Sequence, residues 1–149
     1  MKSTLLFIFS GLFLLSSCDQ SQKLTHTERK LIGQWEYDKV EYFPYWGFKE
    51  NQTNEFESLQ LEILKDFTIT MQNSNTGEIY TGVWEVNIIN LPSSNGNNMV
   101  AEEFIASLSG NISGEVIQII WENIAVDNSR IRADHDDKQG IFNYKLRKL

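Results

Sequence analysis

Beyond Gly33, apolar and β-branched residues alternate with polar ones, and the alternation breaks only at clusters of Asn, Gly, Ser and Asp. Successive side chains on a strand point to opposite faces, so this period predicts strands with one buried side. Eight segments carry it: Gln34 to Phe43, Ser58 to Leu64, Phe67 to Asn73, Glu78 to Ile89, Met99 to Ser109, Glu115 to Val126, Ser129 to Asp134, and Gly140 to Lys148. Lys65-Asp66, Asn73 to Gly77, Leu91 to Asn98, Ser109 to Gly114, Asp127-Asn128 and His135 to Gln139 are read as hairpin turns, which makes successive strands antiparallel neighbours. Ahead of the first strand the spacing is helical. Thr25 caps, Glu28 follows three residues later as in a capping box, and Gly33 stops a helix expected over Thr27 to Ile32.

Alternation places Leu59, Leu61 and Ile63 on an inward face, with Phe67, Ile69 and Met71 on the next strand. Tyr80, Gly82, Trp84, Val86 and Ile88 follow, and Phe142, Tyr144 and Leu146 complete the set on the last strand. The sixth segment is apolar on both faces, Ile117, Ile119 and Trp121 against Val116 and Ile120, so its outside is expected to be covered by the N-terminal helix or another chain. Eight hairpin-linked strands leave two free edges unless the sheet closes. The expected fold is therefore all-β, an eight-stranded up-and-down antiparallel barrel with a short N-terminal helix.

Composition narrows the class. Aromatics make up 12% of the 149 residues and there are only 2 prolines, which suits a sheet protein better than a disordered tail. The charge is acidic, 13 Lys and Arg against 20 Asp and Glu. Nucleic-acid binders carry the opposite sign gathered on one face, so that class of partner is excluded.

The single cysteine, Cys18, cannot form an internal disulfide. It stands where an apolar run, Leu5 to Leu15, gives way to polar residues, behind a positive start at Lys2 and the small Ser16-Ser17 pair. That is the layout of an export signal, and its apolar core is shorter than the roughly 20 residues a membrane-spanning helix needs. Leu15-Ser16-Ser17-Cys18 resembles the lipobox of bacterial lipoproteins. The resemblance implies a diacylglyceryl group on the Cys18 sulfur, cleavage after residue 17, and a further palmitate-type chain on the new amine, enough together for stable anchoring. The expected organisation is a signal peptide over 1–17, a tether over 18–24 and one barrel domain over 25–149 at the periplasmic or outer-membrane face of the cell envelope. Loss of Lys2 leaves 12 basic against 20 acidic side chains, a formal charge of −8.

Gly33-Gln34-Trp35, between helix and first strand, resembles the Gly-x-Trp signature of lipocalins, and Gly82-Val83-Trp84 is similar to the mid-barrel strand of bacterial lipocalin-like lipoproteins. The resemblance implies that Trp35 closes the narrow end of the barrel and packs against Arg147 of the last strand, a favourable cation–π contact in its own right. The aromatic-rich second and third lipocalin motifs are not recognisable here, so the resemblance does not set the size of any cavity.

The long connection from Pro44 to Glu57 carries Tyr45, Trp46 and Phe48. These aromatics either form a lid that touches a bound apolar ligand or a partner, or plug the barrel end as core. Inside, Tyr80, Trp84 and Phe104 are the expected ligand-contacting walls unless they fill the space themselves. Asp134-His135-Asp136-Asp137 lacks the spacing of a calcium loop, Lys138 standing where a ligand is needed, so no metal and no cofactor is expected. His26 and His135 have no nucleophile in a recognisable signature, and Glu102 and Glu103, adjacent on a strand, face opposite ways; no enzyme is expected. Asn51-Gln52-Thr53 and Asn111-Ile112-Ser113 match a glycosylation pattern by chance. The expected function is a lipid-anchored lipocalin-like protein that binds a small apolar or amphipathic ligand without chemistry, the alternative being an envelope protein-interaction module with a filled barrel.

Overall fold

The helix signal is realised as α1 (His26–Leu31), where the Thr25 hydroxyl accepts from the Glu28 N–H and the Glu28 carboxylate accepts from the Thr25 N–H, a complete capping box. The computed structural model describes residues 24–91 and 99–149, with only the backbone of Leu91 and Met99. The signal peptide, Cys18, the tether up to residue 23 and the connection over 92–98 lie outside the described residues.

Nine strands follow: β1 (Gly33–Pro44), β2 (Glu50–Asn51), β3 (Leu59–Ile63), β4 (Thr68–Asn73), β5 (Ile79–Leu91), β6 (Met99–Gly110), β7 (Val116–Val126), β8 (Arg130–Asp136) and β9 (Gly140–Lys148), with a one-turn helix α2 (Thr53–Phe56) after β2. Each is antiparallel to its neighbours, and β9 pairs back onto β1, closing an eight-stranded barrel of lipocalin-like layout to which β2 adds a two-residue rung. All eight segments read from the alternation are strands of this barrel. Up-and-down topology gives it two ends. The base holds α1, the start of β1, the β3–β4 and β7–β8 turns and the C-terminus; the mouth holds residues 45–58 and the β4–β5, β6–β7 and β8–β9 turns.

At the base the core is solid. Leu31, Trp35, Phe104 and Trp121 are fully buried among Leu61, Ile63, Ile69, Leu108, Ile131 and Leu146. Phe67, Trp84, Phe104 and Trp121 run ring to ring across the interior at centroid distances of 5.1, 5.8 and 4.7 Å. Gly33 and Gly82 permit close approaches. At Gly33 (φ +143°) a Cβ would lie 2.6 Å from the Lys148 Cε, and at Gly82 it would lie 1.8 Å from the Ser107 carbonyl oxygen of β6.

Lys148, not Arg147, covers Trp35. Its Nζ sits 5.1 Å from the indole and donates to the Ile32 carbonyl at 3.0 Å, while Arg147 pairs with Glu36. The β1–β9 register explains the correction: Trp35 lies opposite Lys148 on the inner face, and Glu36 opposite Arg147 on the outer. Ile88, assigned inward by alternation, is 63% exposed, because β5 and β6 pair on to Leu91 and Met99, beyond the level where β7 leaves β6 at Phe104.

The barrel wall is not continuous along every seam. β7 changes partner midway: Val116–Trp121 ladder onto β6, and Glu122–Val126 onto β8, with a bulge at Asn123 (φ +50°) at the switch. On its base side the β6–β7 split is bridged by α1, whose Thr27 hydroxyl donates to Glu102 at 2.5 Å and whose Lys30 Nζ donates to the Val126 carbonyl. β1 likewise pairs with β3 only over Gly33–Glu36, and α2 fills the divergence at the mouth, tied to β1 by the Val40 N–H donating to the Thr53 hydroxyl at 3.0 Å. The α1 contacts with β7 all lie at the base, so α1 does not cover the doubly apolar stretch of β7: Val116 is 66% exposed.

Candidate binding pocket at the barrel mouth

Tyr37 follows Trp35 by two and so points inward; a bulge at Asp38 then turns Val40, rather than Lys39, into the core. Val40 lies opposite Tyr144, and Phe142 opposite His135, so β1, β9 and β8 aim Tyr37, Tyr144 and His135 at the mouth-side interior. α2 delivers Phe56 through the β1–β3 divergence. The rings of Tyr37, Phe56 and Tyr144 meet at centroid distances of 5.1 to 6.1 Å and at steep mutual angles of 57 to 68°. Rings that meet edge to face leave space that parallel stacking would close. A hollow of about 120 Å³ results, walled by these three, Ile119, Trp121 and His135, with Gln118 and Ile120 at its lateral opening between β7 and β8.

Its lining mixes apolar ring and aliphatic faces with the polar atoms of Tyr37, Gln118, His135 and Tyr144. His135 Nδ1 is buried and has no hydrogen-bond partner, the one such side-chain atom among the described residues. Leaving a buried polar atom unmet costs about 1–3 kcal/mol, which a ligand able to bond it would recover. Burial, with the Tyr144 hydroxyl beside it, pushes the Tyr37 hydroxyl far above the usual tyrosine range; burial, with the Asp137 carboxylate nearby, pushes Tyr144 up to about 12. Both phenols therefore stay neutral across physiological pH. The β7–β8 ladder ends at the pair Glu122 and Asp134, and Asp136 and Asp137 follow on β8 and its turn. Burial and the neighbouring Glu122 raise Asp134, against a hydrogen bond from Asn123.

The residues expected to contact ligand fall in three places. Trp84 and Phe104 belong to the solid base stack, Tyr80 is a half-buried wall residue, and Tyr45, Trp46 and Phe48 rim the mouth. The loop aromatics do not plug the barrel: Trp46 is 95% and Phe48 92% exposed. Tyr45 is fastened instead, its N–H donating to the Gln139 carbonyl and its hydroxyl to Asp136 at 2.5 Å, a bond that with burial raises the hydroxyl to about 12. Tyr37, Phe56, Trp121 and His135 are not among the residues expected from the sequence to contact a ligand. Phe56 carries no local signal, but alternation from Trp35 and from Ile119 turns Tyr37 and Trp121 inward, and alternation from Ile131 turns His135 inward while Asp134 and Asp136 turn out. For the same reason that cluster does not converge, and among the described residues no three His, Cys, Asp or Glu side chains are placed to hold a metal ion.

Two further hollows differ in kind. One of about 180 Å³ sits in the β6–β7 split at the base, bordered by Glu102, Glu103 and Glu122; one of about 100 Å³ lies among Gln34, Glu62, Thr70 and Gln72. No protein-family model matches the chain, and no curated protein or solved structure is significantly similar to it.

Proposed function

We propose that the chain is a lipid-anchored protein of the bacterial cell envelope, held at the periplasmic or outer-membrane face through acylated Cys18, that captures a small apolar or amphipathic group in the mouth pocket without catalysing a reaction. The observation that carries the binding half is the aromatic hollow with an unmet His135 Nδ1. Its volume, about 120 Å³, is well below the roughly 300–1,000 Å³ of pockets that enclose a drug-sized molecule. The ligand is thus a small molecule or one terminal group of a larger one, with an acceptor or donor that meets His135.

The lipobox-like Leu15 to Cys18 supports the anchoring half, and the chain length from it supports an orientation. Leu24 opens the described chain at the base, so a Cys18 anchor six residues back is within about 20 Å of it at the ~3.5 Å reach of each residue. The mouth then faces away from the bilayer. Indole titrated into the protein, followed by amide shifts, is expected to move Tyr37, His135 and Tyr144, and mass spectrometry is expected to find acyl chains on Cys18. Unmoved pocket signals at saturating indole would remove the binding reading; an unmodified Cys18 in protein from a bacterial host would remove the anchor.

A second reading, a protein-interaction module, is favoured by one observation: Trp46 and Phe48 stand nearly free in solvent at that outward-facing end. If it holds, Trp46→Ala with Phe48→Ala loses partner capture and leaves indole binding unchanged.

A further inference from the structure

The ladder phase of β7 is set at its mouth end, where the Gly110 N–H donates to the Glu115 carbonyl at 2.8 Å. Antiparallel pairs alternate between bonded and non-bonded, so Ile117, Ile119 and Trp121 bond to β6. Val116, Gln118 and Ile120 then aim their N–H and C=O groups at the opposite side. There β8 pairs with β7 no further than Asp134 opposite Glu122. Continuing that ladder would take the Asp136 N–H to Ile120, but the Glu122 carboxylate accepts it instead, at 3.1 Å. Among the described residues no backbone hydrogen bond reaches this side of Val116–Trp121.

The result is a free strand edge with the β-prone sequence VIQIIW and none of the usual guards, neither lysine nor proline nor a bulge, within it. It is accessible: Val116 is 66% exposed and Gln118 is exposed. The edge also forms the lip of the His135 pocket, which Gln118 and Ile120 border. Backbone partners beside a side-chain pocket are the two components of recognition by strand addition, the first giving affinity and the second specificity.

We propose that this edge of β7 receives an extended segment of another protein, which adds as a strand along Val116–Trp121 and places one apolar side chain in the His135 pocket. The side-chain half rests on the pocket reading above; the ladder half does not. Charge selects the occupant. Glu115 and Glu122 flank the edge, and the neighbouring β8 and its turn carry three more carboxylates, Asp134, Asp136 and Asp137, with Lys138 the cation of that turn. A segment whose polar positions are Lys or Arg complements these carboxylates. A second copy would bring the same carboxylates against themselves.

The test uses the mature chain, residues 18–149, made without the signal peptide and so without acyl groups. The probe is a fluorescein-labelled synthetic peptide alternating Lys with Val and Leu. Binding is expected to raise its anisotropy, to shift the amides of Val116, Gln118 and Ile120, and to vanish when alternate peptide nitrogens are methylated or Lys is replaced by Glu. Gln118→Pro removes an N–H that bonds nothing in the barrel, and is expected to weaken binding at least about tenfold, roughly the loss of one or two hydrogen bonds. Gln118→Lys serves as the second variant should proline disturb folding, and is expected to repel the peptide. No binding, equal binding of the methylated peptide, or unchanged affinity in a folded variant overturns the proposal. Self-association lost in Gln118→Pro overturns the choice of occupant. Indole in the parallel titration separates the two readings: indole bound without peptide removes strand addition alone, and peptide bound along β7 without indole removes the pocket reading alone.

Discussion

The same eight strands build both ends of the barrel, yet the base is closed and the mouth is not. At the base the indole donors of Trp35 and Trp84 each find a carbonyl released nearby by a chain end. Trp35 Nε1 donates to Leu31 at the close of α1 at 2.7 Å, and Trp84 Nε1 donates to Leu64 in the β3–β4 turn at 3.0 Å. Once those polar atoms are met locally, the rings can stack and exclude space. At the mouth the rings come from α2, β1 and β9, meet at steep angles, and leave a hollow with an unmet imidazole nitrogen. Closure thus depends less on how many aromatics an end contains than on whether their polar atoms are satisfied within it.

The contrast is tested most severely by Trp35→Ala, which should cost about 3–5 kcal/mol in urea unfolding, the usual range for emptying a packed aromatic site. A cost under about 1 kcal/mol would mean that the base is not solid. Gly82→Ala comes next. Its Cβ would press on the β6 backbone, and forcing strands apart costs typically about 1–3 kcal/mol, read as a lower urea midpoint with an unchanged slope.

A pH scan probes the mouth. The Tyr144 hydroxyl titrates at about 12 in the fold against 10.0 as a free group, so its folded form favours the neutral state. Its contribution is fully present below pH 10 and is lost as pH rises through 12. Alkaline unfolding should therefore begin above pH 10 and shift upward in Tyr144→Phe. Smallest of all, Trp46→Ala with Phe48→Ala should change stability by no more than about 0.5 kcal/mol, since both side chains are already in water. A larger loss by the same urea measurement would show that the loop aromatics do seal the mouth.

Local signals in the chain determined what is local. Alternation and turn residues marked eight strands and their faces, and Thr25 with Glu28 marked the start of α1, because side-chain direction on a strand and capping at a helix end depend only on near neighbours. Which residues meet across the barrel was decided by register and bulges. A bulge at Asp38 turned Val40 inward, the pairing of β1 with β9 gave Trp35 to Lys148 and Arg147 to Glu36, and the partner switch of β7 at Asn123 opened the edge beside His135. A one-residue shift exchanges the two faces of a strand, and long-range hydrogen bonds set that shift, so periodicity alone does not reveal it. The pocket of Tyr37, Phe56 and Tyr144 belongs to the same class: each ring was visible in the sequence, and only closure of the barrel brought the three together.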